Sequence, residues 1–150
     1  RYQDCQVTLI DDSYNASPAS MVAAFDSMTA TAPTIMILSE MRELGDATAT
    51  EHAALMPHIN GLSPRLVIAL GSAMHDALGG LDDAIVAIAA PSTKDAVQAL
   101  EGAVEDGDII FIKGSLGSGS WRVRDAISAS FETASSPETS LQNGGNNHAA

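Results

Sequence analysis

The chain has 150 residues, enough for one domain with a single sizeable core; 45% are hydrophobic and only 4% aromatic. A formal net charge of −12, from 7 Lys+Arg against 19 Asp+Glu, excludes nucleic acid and anionic membrane surfaces as general partners, because binding them takes clustered cations. A local cationic site for a phosphate or carboxylate stays open.

Taken in chain order, the first element is an apolar run, "CQVTLID" (5–11), that reads as a strand. After it "DSYNA" forms a turn, and a helix is predicted over 18–30, with Pro18 in its first turn and Ser17 as cap. A second strand, "PTIMILS" (33–39), precedes a helix over 48–60. The third strand, "RLVIALG" (65–71), leads into a helix over 72–79, and the fourth, "AIVAIAA" (84–90), into one over 92–104. In that helix Ser92 sits at the start, Asp95 lies in the first turn, and Val97, Leu100 and Val104 recur at helical spacing; Gly102 weakens its last turn. A fifth strand, "DIIFIKG" (108–114), and a helix over 119–131 complete the pattern.

All five apolar runs are near-continuous, which predicts strands buried on both faces of a parallel sheet. Strict β–α alternation predicts an α/β protein, a three-layer sandwich around a mainly parallel sheet of about five or six strands. Residues 1–131 form the expected domain. Residues 132–150, with Leu141 their one large apolar side chain, read as a disordered tail.

The single cysteine, Cys5, rules out an intrachain disulfide, suits a reducing compartment and reads as a structural thiol. No apolar run approaches membrane-span length and no signal-peptide pattern opens the chain, so a cytoplasmic location is expected. The chain starts without an initiator Met just ahead of a strand, and reads as a piece of something longer.

In an open parallel sheet, ligands bind beyond the carboxyl ends of the strands. Two of the loops there are chemically loaded. Asp11-Asp12-Ser13-Tyr14-Asn15 follows the first strand: a carboxylate can accept both hydroxyls of a ribose, while the alternative is a turn that Asp12 or Ser13 merely stabilises. Adjacent residues rarely converge on one ion and no His or Cys cluster supports them, so no metal site is read there. Lys113-Gly114-Ser115 follows the fifth strand and opens a Gly/Ser loop before a helix, an arrangement suited to a carboxylate or phosphate, or else a flexible connection with a solvated lysine. The Lys precedes the glycines, so this is not a Walker loop, and Gly114, Gly117 and Gly119 do not have dinucleotide-fingerprint spacing. The histidines carry no catalytic pattern, and Trp121 reads as packing.

"DDSYNASPASM" (11–21) resembles the signature Asp-(Asp/Glu)-Ser-Tyr-Asn-Ala-Asn-Pro that opens the C-terminal domain of one branch of the Mur ligase family, with Ser17 in place of the second Asn. "SEMRELG" (39–45) resembles that branch's Gly-Asp-Met-x-Glu-Leu-Gly loop, and "IKGSLGSGS" (112–120) its Lys-Gly-Ser loop. The resemblance implies a Rossmann-like third domain that closes over a nucleotide and brings the incoming amine. The whole enzyme would be an ATP-dependent amide ligase of cell-wall synthesis, joining D-Ala-D-Ala to UDP-MurNAc-tripeptide through an acyl phosphate. ATP and Mg are the implied cofactors, with the P-loop, the Mg ligands and the catalytic lysine in a central domain absent from this chain. No catalytic residue is therefore expected here, and the fragment alone should be inactive.

Carried over position by position, Asp12 would contact the ribose, Tyr14 and Asn15 would shape the nucleotide side, and Lys113 and Ser115 would face the dipeptide. Glu43 would hold its loop. A monomer is expected, and Asp12→Ala should raise the KM for ATP with the fold intact. The rival readings are a sister ligase adding another amino acid, and a free-standing nucleotide-binding or interaction module. The second needs a phosphate loop that "DDSYNAS", without glycine, does not supply.

Overall fold

A computed structural model describes residues 1–134. Five parallel strands, β1 (Thr8–Asp12), β2 (Ile35–Ser39), β3 (Leu66–Leu70), β4 (Val86–Ala90) and β5 (Ile109–Lys113), form one sheet in the order β1-β5-β2-β3-β4. The helices are α1 (Pro18–Ser27), α2 (Thr48–Ala53), α3 (Met56–Leu62), α4 (Ser72–Ala77), α5 (Thr93–Glu101) and α6 (Ser120–Ala134). The expected tail lies, from residue 135 onward, outside the described residues.

Strand alternation divides the core in two. Met36 and Leu38 of β2, Val67 and Ala69 of β3 and Phe111 of β5 pack with Met21 and Phe25 of α1, Met56 and Ile59 of α3 and Met74 of α4. Ile35, Ile37, Ile68, Ile110 and Ile112 face the other way, onto Ala96 and Leu100 of α5 and Val123 and Ile127 of α6. Small aliphatic side chains fill the layers, with Phe25 edge-on to Phe111 as the main aromatic contact on the first face.

Two expectations need correction. Of the interior strands β2 and β3 are buried throughout and β5 at all but Ile109, whereas β4 is largely exposed and β1 half-exposed, because both are sheet edges. The predicted helix over 48–60 is two helices, broken where Pro57 removes a backbone donor and starts α3 afresh. The capping signals held: Ser17 accepts from the Ser20 amide in a reciprocal capping box, and Ser92 accepts from that of Asp95.

This topology creates the crevices where a ligand can lie. After β1, β2 and β3 the chain turns onto the α1–α4 face, and after β4 and β5 onto the face of α5 and α6. Since β5 is inserted between β1 and β2, its following loop parts from both neighbours at the carboxyl end of the sheet.

Candidate nucleotide and substrate cleft

The register places Asp12 opposite Lys113, and Leu38 on the other side of the same lysine. Lys113 is 2% exposed, and its Nζ donates to Asp12 Oδ2 at 2.6 Å and to the Asn15 carbonyl at 2.9 Å. A buried ammonium needs such partners, because an unpaired charge out of water is strongly unfavourable. The first and fifth loops are therefore joined by an ion pair, and the lysine is not solvated. A fold-neutral Asp12→Ala is not available, since it would strand that charge; this corrects the expectation drawn from sequence.

Consecutive residues on a strand face opposite ways, so Asp11 has a different partner. Its Oδ2 accepts from Arg124 Nη1 at 3.0 Å, and its Oδ1 from the Ser13 hydroxyl at 2.5 Å and the Ser13 amide at 3.1 Å. Burial pushes the Asp11 carboxyl up, but the hydrogen bonds from Ser13 and Arg124 outweigh it and hold the group below its ordinary value. Asp11 and Arg124 thus fix the loop, leaving Asp12 and Tyr14 on a cleft of about 350 Å³ shared with Leu116, Trp121 and Arg124. Tyr14 is 77% exposed at its edge, and Asn15 is exposed too.

The Lys113-Gly114-Ser115 turn is set by close approach. A Cβ on Gly114 would fall 1.5 Å from Ser39 Oγ, so only glycine lets β5 leave the sheet along β2. Beyond it the Ser115 hydroxyl donates to the Glu40 carbonyl at 3.2 Å, Ser39 and Ser118 share a short hydroxyl contact, and Arg42 Nη1 donates to the Gly117 carbonyl at 3.1 Å. The Ser115 hydroxyl is thus committed to the second loop.

That second loop, 40–45, is held by His52, whose Nε2 accepts from the Met41 amide at 2.9 Å while Nδ1 lies 2.7 Å from the Thr48 carbonyl. This arrangement is the neutral ring with its proton on Nδ1. Glu43, expected to hold the loop, is exposed, left-handed at φ 62° and without a hydrogen bond among the described residues. Its backbone turns the side chain out to solvent.

Asp12, Asn15 and Lys113 meet; Tyr14 flanks them across the cleft edge, and Ser115 belongs to the neighbouring loop network. Sequence reasoning missed the pairing of Asp11 with Arg124, and the role of His52. The signal for Arg124 was its i, i+3 spacing from Trp121, which puts both on one helix face beside the first loop; His52 offered none. Among the described residues there is no group of three His, Cys, Asp or Glu side chains that could hold a metal ion.

A family model described as Mur ligase, glutamate ligase domain, matches residues 1–116. The chain belongs to the Mur ligase family. Solved structures agree on the fold: this Mur ligase domain superposes on the MurF ligase of Thermotoga maritima, determined in complex with ADP, with a TM-score of 0.69 at 20% identity over 85% of this chain. MurF from Acinetobacter baumannii gives 0.65 at 23% identity over 83%. The chain spans only 29% and 28% of those two proteins. A single domain ascribed to a UDP-N-acetylmuramate ligase of Haemophilus ducreyi gives 0.54 at 18% identity, and there the match covers 86% of this chain and 94% of that one.

Proposed function

We propose that this Mur ligase domain is the nucleotide- and substrate-closing part of an ATP-dependent ligase of the MurF type, one that joins D-Ala-D-Ala to UDP-MurNAc-tripeptide in cell-wall synthesis. The observation that carries the reading is the Lys113–Asp12–Asn15 junction, which ties the two signature loops together beside an open cleft. The order of the three signature loops supports it, as does the ADP complex of the Thermotoga relative.

In this reading Asp12 offers its second oxygen to the ribose hydroxyls, with Lys113 fixing the orientation of the carboxylate. Tyr14 presents a ring face, and Asn15 a side-chain amide with no hydrogen bond among the described residues, to the nucleotide. Lys113 and Ser115 shape the wall toward the incoming dipeptide through the loop they anchor rather than by free donors. The reaction would run through an acyl phosphate of the tripeptide carboxylate, formed with ATP and magnesium on a central domain. The dipeptide amine then attacks the acyl carbon, and phosphate leaves. The domain contributes closure and orientation and no acid, base or nucleophile, so by itself it should be inactive. Among the described residues no helix is long and apolar enough to cross a membrane, and a cytoplasmic monomer fits the proposed role.

The test is a backbone NMR titration of this chain with ADP and with D-Ala-D-Ala, repeated with Tyr14→Ala. Because Tyr14 is exposed, its truncation should leave the spectrum folded. ADP is expected to shift residues 12–15 with a Kd on the order of 1 mM, and the variant to weaken this severalfold. The dipeptide should shift residues around 113–115. Failure of both ligands to move either loop in the complete ligase would reject the assignment.

A further inference from the structure

The outer side of β4 lacks the usual defences of a sheet edge. Residues 84–93, "AIVAIAAPST", carry no charged side chain, and β4 itself holds no lysine or proline to blunt it. Among the described residues β3 is its one neighbour in the sheet. Val86 is 58% exposed, Ala87 and Ala89 are exposed, and Ile88 is half-buried. Ile88 and Ala90 lean on the layer of α5 and α6, so by alternation Ala87 and Ala89 point to the α4 side. There a cavity of about 290 Å³, lined by Ala69, Ser72, His75 and Ala89 among others, opens beside the strand.

The ladder shows which backbone groups are left over. The Val86 amide donates inward, to the Arg65 carbonyl at 3.1 Å. Hydrogen-bonding direction alternates along a strand, so Val86, Ile88 and Ala90 serve β3, while Ala87 and Ala89 aim both N–H and C=O outward. The usable edge stops on either side of these two. The Ile85 amide is spent on the Asp82 carbonyl at 2.9 Å, and Pro91 has no N–H to give.

We propose that this edge pairs with the same edge of a second copy of the chain, antiparallel about a two-fold axis at Ile88. In that register Ala87 of each copy meets Ala89 of the other, and the two residues exchange both of their N–H···O=C bonds. Ile88 packs on Ile88 of the partner copy, and Val86 covers Ala90 of the partner copy, on the α5–α6 face. The charges favour a second copy too. Asp82 and Asp83 stand just before β4, and Lys94 is the first charged residue after it. Antiparallel pairing brings the acidic end of each strand to the lysine end of the other. The two-fold uses up both edges, so the contact closes without forming a filament. A pair of five-residue strands buries less than the roughly 1,200 Å² of a stable interface, so a Kd of about 0.1 mM is expected. The dilute chain is therefore the monomer of the ligase reading, and the proposal stands apart from that reading. Since β2 and β3 lie between β4 and β5, the Lys113–Asp12 junction stays open in the pair.

The experiment is sedimentation equilibrium of the chain from about 10 µM to 1 mM, in about 0.15 M salt to screen the net charge, for wild type, Ala89→Pro and Val86→Lys. Wild-type mass should climb from one copy toward two, with hydrogen exchange at the Ala87 and Ala89 amides slowing in step. Ala89→Pro removes a donor that points away from the sheet, so the fold should survive and the mass should stay at one copy. Val86→Lys puts a charge into the apolar contact at an exposed position, and should weaken pairing by about tenfold or more. A wild type that stays single at the highest concentration overturns the proposal, as does an Ala89→Pro variant that associates like wild type. The same exchange measurement on the complete protein tests the other occupant. Ala87 and Ala89 protected there in a single copy would give the edge to a segment outside this chain, and would overturn the second copy.

Discussion

Asp108, at the end of the sheet away from the clefts, shows how much one carboxylate can organise. It is 4% exposed and accepts from the Thr34 hydroxyl at 2.7 Å, the Glu105 amide at 2.7 Å and Arg65 Nη2 at 2.5 Å. Arg65 donates onward to the Ala103 carbonyl at 2.7 Å, so β2, β3 and the approach to β5 are fastened together. Burial pushes the Asp108 carboxyl up, but the donors outweigh it and its folded pKa falls below the ordinary 3.8. The unfolded chain therefore binds a proton first on acidification. The stabilisation is complete above about pH 4–5 and is lost as pH falls through the depressed folded value. Asp108→Asn should cost about 3 kcal/mol at pH 7 by breaking a buried pair, with a smaller difference from wild type at pH 3. Urea melts at the two pH values measure this, and equal midpoints at pH 7 would show the pair to be dispensable. Nothing local in "EDGDII" announces this role, because Arg65 lies 43 positions away.

The strands and helices were more legible than their partners. Four of the five apolar runs contain their strands and the first stops one residue short of the end of β1; the predicted strand ends differ by at most three residues, since pattern and turn residues act locally. Lateral order was not legible: the insertion of β5 between β1 and β2 leaves β1 and β4 as edges, and neither run says so. The site divides in the same way. Motif order located the two loaded loops, but the Lys113–Asp12 pair needs the register, and the role of His52 needs α2 packed beneath the second loop. His52 is 0% exposed, so His52→Ala would leave the Met41 amide without its acceptor and open a cavity. The expected cost is about 2–4 kcal/mol, with loss of hydrogen-exchange protection at Met41 in excess of the global loss. Protection at Met41 falling only as far as the global stability would mean that the loop holds itself.

On the proposed reading, a protein of net charge −12 would be an odd receptor for a nucleotide anion until its charges are placed. Arg42, Lys94, Lys113, Arg122 and Arg124 all stand at the carboxyl end of the sheet, leaving Arg1 and Arg65 elsewhere among the 7 Lys+Arg. Asp12 and Asp11 neutralise Lys113 and Arg124, but Arg42, Lys94 and Arg122 pair with no carboxylate among the described residues. The mean field repels an anion while the rim attracts it, and the two have different ranges. With a Debye length of about 10 Å at 0.1 M salt, distant acids are screened first and the cations beside the ligand last. If the rim holds the phosphates, moderate salt should first leave ADP affinity nearly flat as remote repulsion and local attraction fade together. Between about 0.1 and 0.5 M it should then fall by about three- to tenfold. The ADP titration at four NaCl concentrations measures this. Affinity that rises steadily with salt would mean that the net charge dominates, and would move the phosphates off this rim.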